Sequence, residues 1–172
     1  SDVSRASTTY LRTGFQLTAE DLLNLLLVGS DNAAARALAR VSTLGYDAFV
    51  QRMNDKAKEM GLESTSYADP SGLLAENISS AYDQARLIAS AVSDPRVGAI
   101  MRKSSYSTNA GKRVITANST NQIVRSGDID VFVDLEPLRG YPCPEGGPVF
   151  AQQSVTVGAT RRRRPGEDDR WG

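Results

Sequence analysis

Ser30-Asp31-Asn32 sets a hydroxyl, a carboxylate and a carboxamide side by side between two apolar stretches. A hydroxyl relays a proton, and a carboxamide both donates to and accepts from a peptide group. The same triplet also reads as a helix N-cap, because these side chains compete for backbone hydrogen bonds. The rest of the inventory narrows the chemistry. The chain has no histidine, which excludes Ser-His-Asp and Cys-His arrangements and every metal site built on imidazole. One cysteine, Cys143, excludes an internal disulfide and a zinc site of clustered thiolates. Proton transfer must then use Lys, Asp, Glu, Tyr or Ser hydroxyls. Asp21, Asp31, Asp69 and Asp83 form no obvious acid–base pair and read as caps, loop residues or a solvated face. Glu145-Gly146-Gly147 lacks the lysine and following helix of a phosphate-cradling loop.

The elements around the triplet follow from periodicity. Thr18-Ala19-Glu20-Asp21 is close to a capping box, and Leu22 to Val28 is apolar nearly all round. This predicts a buried helix over 18–29. A second, Ala- and Arg-rich helix spans 33–40. A third carries Tyr46, Phe49, Met53, Ala57 and Met60 at spacings of three and four, with Gly61 as its stop. Residues 62–78 read as a loop with Asp69-Pro70-Ser71-Gly72 as its turn. Ser80 to Asp83 opens a fourth helix. Asp94-Pro95 starts a fifth, as cap and first helical residue, which runs to about Lys103. Ser105–Thr108 and Arg113–Thr116 flank Asn109-Ala110-Gly111 as a hairpin, and Ile129–Val133 reads as a short strand. Beyond Asp134 the chain is rich in Pro, Gly and Arg, and only Val149-Phe150 and Val155–Val157 offer strand material. The 172 residues suggest one domain. Twenty basic and twenty acidic side chains leave net charge zero, so nothing global attracts nucleic acid. Arg161 to Arg164 is followed by Glu167-Asp168-Asp169 and reads as a solvated tail. No basic segment precedes an apolar run and no apolar run approaches the length of a membrane span, which leaves open a signal or anchor that was removed or lies upstream of Ser1.

S-D-N belongs, with S-x-x-K and K-T-G, to a signature shared by β-lactamases and penicillin-binding proteins. Three stretches sharpen that likeness. Leu22 to Ala39 resembles the segment around the second active-site motif of D-alanyl-D-alanine carboxypeptidases, the low-molecular-mass penicillin-binding proteins. Phe49 to Leu62, with Met53, Asn54, Lys56, Ala57, Met60 and Gly61, resembles that family's next helix and its stop. Tyr67 to Leu73, followed by Asn77 to Leu87, resembles its subsequent loop and helix. The likeness continues weakly through Asn118-x-x-Asn121 to about Val133, two thirds of the chain.

The departures matter equally. None of Lys56, Lys58, Lys103 and Lys112 has a serine three residues before it, so there is no S-x-x-K. Ser7-Thr8-Thr9-Tyr10 has the spacing but puts Tyr where Lys is needed, and reads as an N-terminal loop. K-T-G is also missing. Arg125-Ser126-Gly127 is the only substitute, a cation, a hydroxyl and a glycine in order, in an expected turn. The compositional change after Val133 falls where K-T-G is due, which suggests an out-of-register or unrelated tail.

The resemblance implies an α+β chain of the serine β-lactamase/penicillin-binding-protein (transpeptidase-like) fold. Residues 1–133 would form a partial catalytic domain, mainly the helical subdomain plus part of the α/β subdomain, and 134–172 a poorly specified tail. The missing strands would leave unpaired edges, and absence of the nucleophile helix would expose apolar surface on the 18–29 helix. It implies a serine-type D-Ala-D-Ala carboxypeptidase acting on peptidoglycan stem peptides outside the cytoplasm, with this chain inactive alone. Ser30 would serve the proton relay, and Asn32 the substrate amide and the catalytic lysine. Asp31 would shape the turn, and Arg125 and Ser126 are candidate contacts to the substrate carboxylate. No metal or organic cofactor is implied, and β-lactams would acylate the complete enzyme. A non-catalytic binding module of the same scaffold and a β-lactamase relative are the alternatives.

Overall fold

The computed structural model describes residues 2–4, 6 and 9–126, with the backbone of 129–137 and 153–161. Five helices come first: α1 (Ala19–Gly29), α2 (Asn32–Val41), α3 (Tyr46–Glu59), α4 (Ala81–Ser93) and α5 (Pro95–Met101). The hairpin β1 (Ser105–Ala110) and β2 (Arg113–Asn118) follows, then the short α6 (Gln122–Ser126) and the antiparallel pair β3 (Ile129–Pro137) and β4 (Gln153–Arg161). Cys143, Val149-Phe150, Glu145 to Gly147 and Arg162 to Arg164 lie outside the described residues. No helix among those described is long and apolar enough to cross a membrane.

The helix starts are set by side chains that the sequence marks. The Thr18 hydroxyl accepts from the Asp21 N–H while the Asp21 carboxylate accepts from the Thr18 N–H, a complete capping box. Ser80 caps α4 through the Asp83 N–H. Asp94 caps α5, with Pro95 in its first turn. The fifth helix stops at Met101, two residues short of expectation. The hairpin turn is Gly111-Lys112, not Asn109-Ala110-Gly111. Gly111 supplies the positive φ of 68° that the two-residue turn needs, so Asn109 and Ala110 stay in the ladder. Arg125 and Ser126 lie on α6 instead of in a turn. The 129–133 strand extends to Pro137, because Val133 and Leu135 alternate with Asp134 and Glu136 past the expected end.

The core lies where α1, α2 and the β1–β2 hairpin meet. Leu22, Leu25, Ala34, Ala37, Ala110, Ile115 and Ala117 are buried together, flanked by Tyr10, Leu11, Phe15 and Leu17 of the N-terminal segment. The alanines of α2 let its backbone approach α1 closely. Leu22, Leu25 and Val28 are buried. The hairpin and residues 10–17 pack against Leu22, Leu25 and Leu26, while Leu23, Leu26 and Leu27 remain partly exposed. The large apolar side chains left in solvent are elsewhere and include Val41, Leu44, Leu74, Ile78 and Val114.

Candidate active site

α1 ends and α2 begins within three residues, and this break displays the triplet. Ser30 is the C-cap of α1 and adopts the left-handed conformation, φ 55° and ψ 42°. It is the only described non-glycine residue with positive φ. A β-carbon in that region costs about 1–3 kcal/mol, held here by the packing on both sides. The reversal leaves Ser30 exposed while the next two residues turn inward.

Asp31 is fully buried and is the N-cap of α2. One carboxylate oxygen accepts from the Ala34 N–H at 2.9 Å. The other accepts from the Tyr10 N–H at 2.7 Å and the Thr9 hydroxyl at 3.2 Å. The N-terminal loop is thereby docked on the triplet. Gly29, just before it, has no room for a side chain: a β-carbon there would lie 2.8 Å from Tyr10 Cε2 and 2.9 Å from Ala117 Cβ.

Asn32 is 8% exposed, and its Nδ2 donates to the Ser71 carbonyl at 3.2 Å. The loop after α3 therefore forms one wall of the site. Asn54 of α3 holds the base of that loop, accepting from the Tyr67 N–H and donating to the Tyr67 carbonyl, both at 2.8 Å. The segment leading to α6 forms another wall, since the Thr120 N–H donates to the Val28 carbonyl at 3.1 Å. The Ser126 hydroxyl donates to the Ile123 carbonyl, and Arg125 is exposed on the same short helix.

The remaining acids are structural, and two of them are buried, which the reading of a solvated face missed. Asp83 accepts from the Ser64 N–H and the Thr65 hydroxyl. Asp69 accepts from the Ser71 N–H and hydroxyl, from the Leu74 N–H and from Asn77 Nδ2. Burial raises the Asp69 pKa, but these donors outweigh it and leave the carboxyl below its usual range. Asp21 takes hydroxyls from Tyr106 and Thr108 besides its cap. Burial opposes its ionisation, yet the bonds from Thr108, Thr18 and Tyr106 hold it well below the usual range. Lys103 donates to buried Asn24 Oδ1 at 2.7 Å and lies 5.1 Å from the centre of the Tyr106 ring, so it braces α1. No group of three or more His, Cys, Asp or Glu suited to a metal occurs among the described residues.

Asp31 and Asn32 are thus tied to Thr9, Tyr10 and Ser71, and Thr120 is tied to Val28 just before the triplet. The sequence marked the triplet and the loop. It gave no sign of Thr9, Tyr10 or the Ser71 carbonyl as partners, because those contacts span 21 to 39 residues and two of them use a backbone atom.

Residues 1–133 match the family model described as D-alanyl-D-alanine carboxypeptidase. The D-alanyl-D-alanine endopeptidase of Haemophilus influenzae is 32% identical over 133 residues, which is 77% of this chain and 46% of that protein. The D-alanyl-D-alanine carboxypeptidase DacF of Bacillus subtilis is 40% identical over 80 residues, 46% of this chain and 21% of that protein. The crystal structure of penicillin binding protein 5 from Haemophilus influenzae superposes with a TM-score of 0.64 at 28% identity, over 73% of this chain and 36% of that one. The chain spans about half, or less, of the length of these relatives. The fold is the penicillin-binding-protein, β-lactamase-like fold, represented by its helical part and a small sheet. With the family match covering residues 1–133, the triplet included, the chain belongs to the D-alanyl-D-alanine carboxypeptidase family.

Proposed function

We propose that these residues are the second-motif half of a serine-type D-Ala-D-Ala carboxypeptidase that acts on peptidoglycan stem peptides outside the cytoplasm. The observation that carries this reading is the display of Ser30-Asp31-Asn32. Ser30 is exposed on a left-handed cap, and Asn32 is wedged against the Ser71 carbonyl. Ser30 relays a proton toward the leaving D-Ala amine. Asn32 hydrogen-bonds the substrate amide and helps fix the general-base lysine. Asp31 makes no substrate contact, because all its described bonds go to the protein. A serine nucleophile attacks the peptide carbonyl, a lysine takes its proton, and water then hydrolyses the acyl-enzyme, a scheme that needs no histidine. That serine and lysine are absent from the 172 residues and must come from outside them. β-Lactams acylate the same serine in the complete enzyme. Arg125 and Ser126 are the candidates within this chain for the substrate carboxylate. Residues 134–172, beyond the family match, take no part in this scheme.

The names of the relatives support a second reading, cleavage of an internal D-Ala bond as in an endopeptidase. Release of a terminal D-Ala from a free stem peptide, against cutting of a cross-linked one, separates the two.

Covalent labelling with fluorescent penicillin tests the proposal. The 172-residue chain gives no labelled band on a denaturing gel, whereas a longer product of the same gene carrying S-x-x-K and K-T-G gives one. A band from the 172 residues alone, or encoding DNA with no S-x-x-K upstream in any frame, overturns it.

A further inference from the structure

The loop between α3 and α4 is closed at its base independently of its tip. Ser66 and Ile78 form an antiparallel bridge, with N–H to carbonyl distances of 2.8 and 2.9 Å, and Asn54 clamps Tyr67 from α3. Within that frame a second set of bonds shapes the tip. Asp69 is 3% exposed, and its carboxylate gathers the Ser71 N–H and hydroxyl, the Leu74 N–H and Asn77 Nδ2. Asn77 completes the knot, its Oδ1 accepting from the Ala68 and Asp69 N–H groups and its Nδ2 donating to the Leu74 carbonyl.

This knot has one output toward the candidate active site, the Ser71 carbonyl. A carbonyl is an acceptor only, so it dictates which end of the Asn32 carboxamide faces the loop: Nδ2 turns toward Ser71 and the carboxamide oxygen turns away. With a different flip, two acceptors would oppose each other at 3.2 Å in a largely buried position. We propose that Asp69 is a positioning residue for Asn32: its buried carboxylate, through Ser71 and Asn77, holds the carbonyl that sets the Asn32 carboxamide in a single orientation.

The bearing of this on catalysis rests on Asn32 as the substrate contact proposed above. The test is therefore read on the side chain without substrate, so that failure of one idea is distinguishable from failure of the other. In the unmodified, isotope-labelled 172-residue chain, nuclear Overhauser contacts join the Asn32 carboxamide protons to Ser71; their absence overturns the proposal. In Asp69→Ala, hydrogen exchange of the Asn32 carboxamide accelerates about tenfold, as expected for release of a partly buried hydrogen bond. The Tyr67 and Ile78 amides at the loop base keep their protection. Asp69→Asn, which retains one carbonyl acceptor for Asn77, falls between the two. Unchanged Asn32 exchange in Asp69→Ala, with the Ser71 and Leu74 amides freed, overturns the proposal. If Asp69→Ala does not fold, Ser71→Ala removes a single bond of the knot; it accelerates Asn32 exchange about threefold, and an unaltered rate there overturns the proposal equally.

Discussion

Replacing Asp31 separates the two tasks that its carboxylate performs. One oxygen caps α2 through the Ala34 N–H, and the other receives the Tyr10 N–H and the Thr9 hydroxyl, all at a fully buried position. Loss of an N-cap costs about 1 kcal/mol. Leaving the Tyr10 N–H without its acceptor at this site costs about 1–3 kcal/mol more. Asp31→Ala should therefore destabilise the fold by about 3 kcal/mol, or lower the melting temperature by about 10 °C. Asp31→Asn keeps a cap, since asparagine is as good an N-cap as aspartate. Its amide nitrogen then faces two donors, so it should lose about 2 kcal/mol and keep α2 intact. Urea unfolding followed by circular dichroism measures both differences at one pH. The reasoning is refuted if Asp31→Ala falls within about 0.5 kcal/mol of the parent, the range of an ordinary surface substitution. It is refuted equally if Asp31→Asn matches the parent, because the Tyr10 and Thr9 bonds would then contribute nothing.

Two further perturbations follow from the same packing. Gly29→Ala puts a β-carbon 2.8 Å from the Tyr10 ring and 2.9 Å from Ala117, an overpacking worth about 1–3 kcal/mol. Ala117→Gly in that background should recover part of the loss, and a double-mutant cycle showing strict additivity would refute the contact. Asp21 sits below its ordinary pKa in the folded chain, so its stabilisation is present in full above the unfolded value of 3.8. That contribution is lost as pH falls through the folded value. The stability difference between the parent and Asp21→Asn should therefore hold steady down to about pH 5 and shrink progressively as the pH falls below about 4 in urea titrations. A difference that stays constant would show that Tyr106 and Thr108 do not discriminate the ionised carboxylate.

What the sequence disclosed and what it withheld divide along the range of the interactions. Thr18, Asp21, Ser80, Asp94 and Pro95 were legible because a cap is satisfied within two or three residues of itself, so type and spacing suffice. The triplet was legible for the same reason, since two apolar helices broken by Ser30-Asp31-Asn32 require a turn there. The strand ends were less so: a local rule placed the turn on Asn109-Ala110-Gly111, but the ladder kept Asn109 and Ala110 once Gly111 took the positive φ. Burial of the acids was not legible at all. Asp69 and Asp83 look like solvent-facing loop and helix residues until the loop folds back and supplies each with N–H and hydroxyl donors. An isolated carboxylate is costly to bury, whereas one that gathers several donors is stable inside, and those donors are identifiable only in three dimensions. The same holds for Asn32, whose orientation depends on a backbone carbonyl 39 residues away. A motif of three residues therefore states which groups are present, while the loop after α3, through Asp69, Ser71 and Asn77, decides which way the last of them faces.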